Sequence, residues 1–196
     1  MAGFQITVNG KQLASVSNEE LNILTVQIHG DVIGEELAAV DVYGGNYGND
    51  EADTHLIWVN DHEIRSDDEV SIIFRESVET SHPGKTIKET HPESELKKEP
   101  RQSMNELFKS LAKQPQLREK FTFELDAPNT NTIHSSTGSD EYSFSFIAMW
   151  KWTQPDEARI SLTSNSLGGI KKRTSGVKHA GFSLLYEQGV NFRVRT

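Results

Sequence analysis

Apolar and polar residues alternate with a period of two over most of the chain, the repeat of strands that bury one face. Phe4, Ile6 and Val8 alternate with Gln5 and Thr7, and Asn9-Gly10 is a strong hairpin turn before a return run at residues 13–16. Leu24, Val26 and Ile28 alternate with Thr25 and Gln27 and end at Gly30. A third run at residues 37–43 stops at Gly44-Gly45-Asn46-Tyr47-Gly48, and residues 55–59 and 69–74 supply two more. Short strands at this spacing predict a sandwich or barrel rather than parallel βαβ units.

The same period returns beyond residue 118. Residues 121–125 alternate, residues 129–140 read as a polar loop, and residues 143–152 send Phe144, Phe146, Ala148, Trp150 and Trp152 to one face. These aromatic residues predict a core wall. Ile160 and Leu162 follow a Pro155-Asp156 turn, and residues 181–186 and 190–194 flank Glu187-Gln188-Gly189 as a hairpin.

Between these regions the alternation stops. Residues 77–100 are polar and contain Pro83, Pro92 and Pro100, so they offer little to bury and predict a linker. A helix is predicted next: Ser103 and Glu106 form a capping box, and Met104, Leu107, Phe108 and Leu111 fall at i, i+3, i+4 and i+7 before Pro115. Its apolar stripe is expected to pack on a sheet. The predicted architecture is mainly β (α+β), with two antiparallel β-rich modules of sandwich or barrel type. An acidic module spans 1–78, the linker 79–100, the helix 101–117 and the second module 118–196.

Composition narrows the chemistry. The chain has 196 residues and no cysteine, which excludes disulfides, thiolate catalysis and Cys-ligated metal centres. No run approaches the ~18–20 apolar residues of a membrane span. The opening residues MAGFQITVNGKQ lack the basic and apolar regions of a signal peptide, so a cytoplasmic location is expected. Charge is divided unevenly. Residues 1–100 hold 7 Lys and Arg against 20 Asp and Glu, whereas residues 101–196 hold 13 against 9. A single-sign surface steers oppositely charged partners, and an acidic chain is a poor ligand for nucleic acid.

Familiar fragments fail on spacing. Pro83-Gly84-Lys85-Thr86 has Glu79 where a phosphate-binding loop needs its first glycine, and Gly45 and Gly48 would need a glycine in place of Tyr43 to form a dinucleotide fingerprint. Asp53, His55, His62 and Glu63 are the candidate metal ligands, since two imidazoles and a carboxylate suit zinc or iron. Nothing resembles His-Glu-x-x-His, and neither metal nor cofactor is expected. Candidate partner-binding residues are the acidic Asp61, Glu63, Asp67, Asp68 and Glu69 and the basic Lys171, Lys172 and Arg173. The pattern favours a non-enzymatic intracellular protein-binding module, such as an inhibitor, an immunity-type protein or an assembly adaptor. Its expected partner is another protein with a basic surface, or a second copy, with no role for membrane or nucleic acid. The alternatives are a metal-assisted or His/carboxylate hydrolase and a self-assembling structural protein.

Overall fold

The computed structural model describes residues 1–17, 19–48, 54–92 and 103–196. Two antiparallel sheets dominate it. In chain order the strands are β1 (Gly3–Val8), β2 (Lys11–Val16), β3 (Ile23–Asp31), β4 (Ala38–Asn46), β5 (Thr54–Ile64), β6 (Val70–Arg75), β7 (Lys85–Thr86), β8 (Thr122–Asp126), β9 (Ile133–Ser136), β10 (Glu141–Lys151), β11 (Gln154–Ser166), β12 (Val177–Leu185) and β13 (Gly189–Arg195). The helices are α1 (Ile87–Thr90), α2 (Met104–Leu111) and α3 (Leu167–Lys172). No helix among the described residues is long and apolar enough to cross a membrane.

One sheet runs β2-β1-β6-β13-β8-β9 and the other β12-β11-β10-β3-β4-β5-β7. Asn9 and Gly10, with φ of 52° and 75°, make the left-handed turn that the first hairpin requires. Period-2 alternation places Phe144 and Phe146 of β10 on the inner face of one sheet, against Phe123 of β8 and Phe192 of β13 on the other. The Phe123–Phe144 and Phe146–Phe192 ring centroids are 5.0 and 4.9 Å apart. Buried residues of both sheets thus form one core, each large apolar side chain contributing about 1.5–3 kcal/mol on burial.

That core corrects the division into modules 1–78 and 118–196. β6 pairs with β13, and β3 pairs with β10, so each sheet is built from both parts of the chain. Nor is the first part of the expected linker free. Ser81 N–H donates to Ser15 O at 2.9 Å, Ser17 N–H to Thr80 Oγ1 at 3.0 Å, and Ser17 Oγ to Val78 O at 2.6 Å, closing the edge of β2. β7 then pairs with β5. The remainder, 93–100, lies outside the described residues.

Ser103 caps α2 and Glu106 returns the bond to its N–H, as the spacing predicts. The helix ends at Leu111 rather than reaching Pro115, and of its residues only Phe108 is buried. Trp150 is buried, but Trp152 is 65% exposed because β10 ends at Lys151 and the chain turns there. The strand that follows already includes Pro155, which the sequence reading placed in a turn. Within the expected polar loop at 129–140, β9 pairs with β8.

Candidate functional site

The outer face of β3, β4 and β5 collects polar side chains because alternation turns their apolar neighbours inward. Val26 and Ile28 are buried on β3 and Val40 and Val42 on β4, which leaves Gln27, His29, Asp41 and Tyr43 facing outward. Gln27 lies directly opposite Asp41 in the β3–β4 register, so His29 is its diagonal neighbour. His29 Nε2 and Asp41 Oδ2 are 2.8 Å apart. The β4–β5 ladder shifts register beside this point, and Asp61, at φ 55°, donates its N–H to Asp41 Oδ1 at 2.7 Å.

Both ionised forms are favoured in this pair. The hydrogen bond that His29 donates to Asp41 raises the His29 pKa above its usual 6.5, against an opposing effect of burial, and the charges of Asp41, Asp61 and Asp31 add to the rise. For Asp41, burial is the largest influence and acts upward. The hydrogen bonds from His29 and the Asp61 N–H outweigh it and hold the carboxyl below its usual 3.8.

His29 opens on a depression of about 290 Å³ bordered by Asp31, Glu35, Glu36 and Asp61. The loop after β3 is folded by Asp31, whose Oδ1 accepts the N–H groups of Ile33 at 2.9 Å and Gly34 at 2.6 Å. Arg118 fixes the same loop from below, donating to the carbonyls of Asp31, Glu36 and Glu35 at 2.6, 3.0 and 3.2 Å. Its charge is directed at backbone oxygens, and the Glu35 and Glu36 residues stay exposed. Beyond Asp41 a second hollow of about 260 Å³ is lined by Tyr43, His55, Ile57 and Asn60. Tyr43 Oη donates to Gln27 at 2.9 Å, and Gln27 Nε2 to Ser145 at 3.2 Å. Burial, with the charge of Asp41, raises the Tyr43 pKa. The face is therefore hydrogen-bonded across four strands and presents a net negative surface.

The residues singled out in the sequence are distributed differently. Asp53 lies outside the described residues. His55 pairs across from Gly45 and its Nδ1 sits 2.6 Å from Tyr47 Oη, while His62 lies across from Val40. Five positions of β4 separate the residues they face, roughly 16–17 Å. Glu63 pairs with Arg65 at 3.2 Å. Among the described residues no group of three or more metal-ligating side chains converges.

Of the acidic partner-binding candidates, Asp61 alone borders the depression. Asp67 pairs with Arg195 at 2.9 Å, Asp68 accepts from Asn9 and from the Arg65 N–H at 2.6 and 2.8 Å, and Glu69 pairs with Arg193. Arg193 also holds Glu124. That turn is tied into the molecule by cations from the last strand. Lys171 and Lys172 occupy the last turn of α3, and Arg173 caps it in the left-handed conformation.

His29, Asp31, Glu35, Glu36 and Asp41 were not singled out by the sequence reading. For His29 and Asp41 strand parity gives the face alone: with Ile28 and Val40 inward both point outward, but parity does not say that β3 and β4 are neighbours, and Glu35 and Glu36 lie in the loop after β3, outside any such period. A further Ser–His pair, Ser164 Oγ to His179 Nε2 at 2.6 Å, has the contact of a nucleophile and its base. Ser164 is fully buried, which closes its hydroxyl to substrate. No family model, curated protein or solved structure matches the chain.

Proposed function

We propose that the chain is a non-enzymatic protein-binding module that receives a basic segment of its partner on the outer face of β3–β5. The observation that supports this reading is the depression beside His29, bordered by Asp31, Glu35, Glu36 and Asp61 with no Lys or Arg among the described residues of its lining. Grouped carboxylates repel one another; His29 is engaged by Asp41 and Arg118 by backbone carbonyls, so a bound Lys or Arg would offset the repulsion among the carboxylates while gaining charge-assisted hydrogen bonds. The His29–Asp41–Asp61 hydrogen bonds hold the floor of the face in one geometry before a partner arrives, which reduces the ordering cost of association.

The test is a titration of isotopically labelled protein with short Lys/Arg-rich peptides, followed residue by residue by NMR. Resonances of residues 29–38 and of Asp61 should shift, and an acidic peptide of equal length should move none. Glu35→Lys with Glu36→Lys should weaken binding about tenfold or more and chiefly slow association. Shifts confined to other surfaces, or binding indifferent to the double reversal, would overturn the reading.

A further inference from the structure

Beside the acidic depression lies a surface of opposite character. α2 leaves Met104 64% and Leu107 39% exposed, and α3 leaves Ile170 38% exposed. Between the two helices is a groove of about 280 Å³ lined by Phe108, Ala112 and Leu167, with Lys109 and Lys171 among its walls. Lys113, Lys172 and Arg173 continue the positive charge along the ends of the same segments. Among the described residues none of these five cations is in an ion pair.

The two charged surfaces share one end of the sheets. Leaving α2, the chain docks on the acidic loop through Leu117 N–H, which donates to Val32 O at 2.7 Å, and through Arg118. α3 follows directly on β11, whose Ser166 pairs with Glu141, and β10 a little further along pairs Ser143 with Asp31. Acidic carboxylates and a basic, apolar helix pair thus lie side by side. Such an arrangement is self-complementary about a two-fold axis, because the acidic patch of one copy can meet the basic patch of the other and the reverse contact is made at the same time.

We propose that the basic surface accepted by the acidic face is the α2–α3 surface of a second copy, giving a two-fold dimer. The inference rests on the reading of the acidic face as an interface and names its occupant. Association would bring Glu35, Glu36 and Asp61 of each copy to Lys109, Lys171 and Lys172 of the other and remove Met104, Leu107 and Ile170 from water. Both the charge and the apolar exposure are then answered by one contact.

Sedimentation velocity on the full chain tests this. The wild type should dimerise at about 50 mM salt and associate at least about tenfold more weakly at about 500 mM, where exposed charges are screened. Glu35→Lys/Glu36→Lys and Lys171→Glu/Lys172→Glu should each be monomeric, with thermal midpoints close to wild type because all four side chains are exposed. An equimolar mixture of the two variants should dimerise, since both contacts are complementary again. A wild type that stays monomeric, a dimer that neither reversal alters, or variants that fail to rescue each other would overturn the proposal. If the wild type is monomeric yet Lys/Arg-rich peptides still shift residues 29–38, only the dimer falls; if the peptides also leave that face unmoved, the acidic interface falls with it.

Discussion

Asp41 has both carboxylate oxygens occupied, one by His29 and one by the Asp61 N–H, so its neighbours and its charge depend on each other. His29 has its pKa raised in the folded state, and a raised histidine contributes stability that is complete below its unfolded value of 6.5 and lost as pH rises through the folded value. His29→Gln should therefore destabilise most below pH 6.5, by under about 1 kcal/mol because the side chain is 39% exposed, and the difference from wild type should fade at higher pH. His179 carries the opposite sign. Burial depresses it despite the charge of Glu141, so stability should fall as pH drops below 6.5 and that sensitivity should shrink in His179→Gln. Denaturation midpoints of the three proteins between about pH 5 and 8.5 separate the two windows. A His29→Gln deficit that grows with pH would contradict the assigned partner. None of this was readable from spacing along the chain. His29 and Asp41 are twelve residues apart, and their contact depends on a strand register that sequence periodicity does not specify.

At the scale of elements the strands were the most legible part, because each buries one face and the alternation records it. The exceptions have physical causes: β9 is four residues long and β7 two, too short for a period to register, and both are held by their neighbours' backbones. α2 was legible down to its capping box, but its environment was not, since an apolar stripe reads the same whether or not something covers it. That changes what its substitutions should do. Ser103→Ala should cost about 0.5–2 kcal/mol of local helix stability by releasing the Glu106 N–H. Leu107, being 39% exposed, should tolerate alanine at under about 1 kcal/mol, well short of the ~2–5 kcal/mol of a core leucine. Phe108→Ala should cost more, near the lower end of the ~3–5 kcal/mol range, because it is the residue of α2 that is buried and it borders an open groove. Chemical denaturation of the three variants checks the ranking. A Leu107→Ala cost exceeding that of Phe108→Ala would mean that the helix docks by its other side.

At the scale of the whole molecule the polar stretch after β6 suggested a boundary between modules, a reading that presumes strands near in sequence pair in space. Strand order is set instead by which apolar faces meet, and the sheets interleave: β6 lies between β1 and β13, and β3 between β10 and β4. The charge asymmetry between the halves is partly answered by the same interleaving. Arg193 reaches Glu69, Arg195 reaches Asp67, and Arg75 reaches Glu187, each pair joining early and late parts of the chain. The consequence is a single cooperative unit. Residues 1–78 alone would expose the inner faces that Phe144, Phe146 and Phe192 cover, and residues 118–196 alone would lose Phe4 and Phe74 together with β3 and β6, which pair with one side of β10 and of β13. We therefore expect the full chain to unfold in one transition, coincident by far- and near-ultraviolet circular dichroism, and either fragment alone to show no cooperative transition. Mixing the two fragments should restore the near-ultraviolet signal, since the missing strands are then supplied in trans. A fragment 1–78 that unfolds cooperatively by itself would show that β1–β6 bury enough apolar surface without the rest, and the shared aromatic core would lose its claim to hold the two parts together.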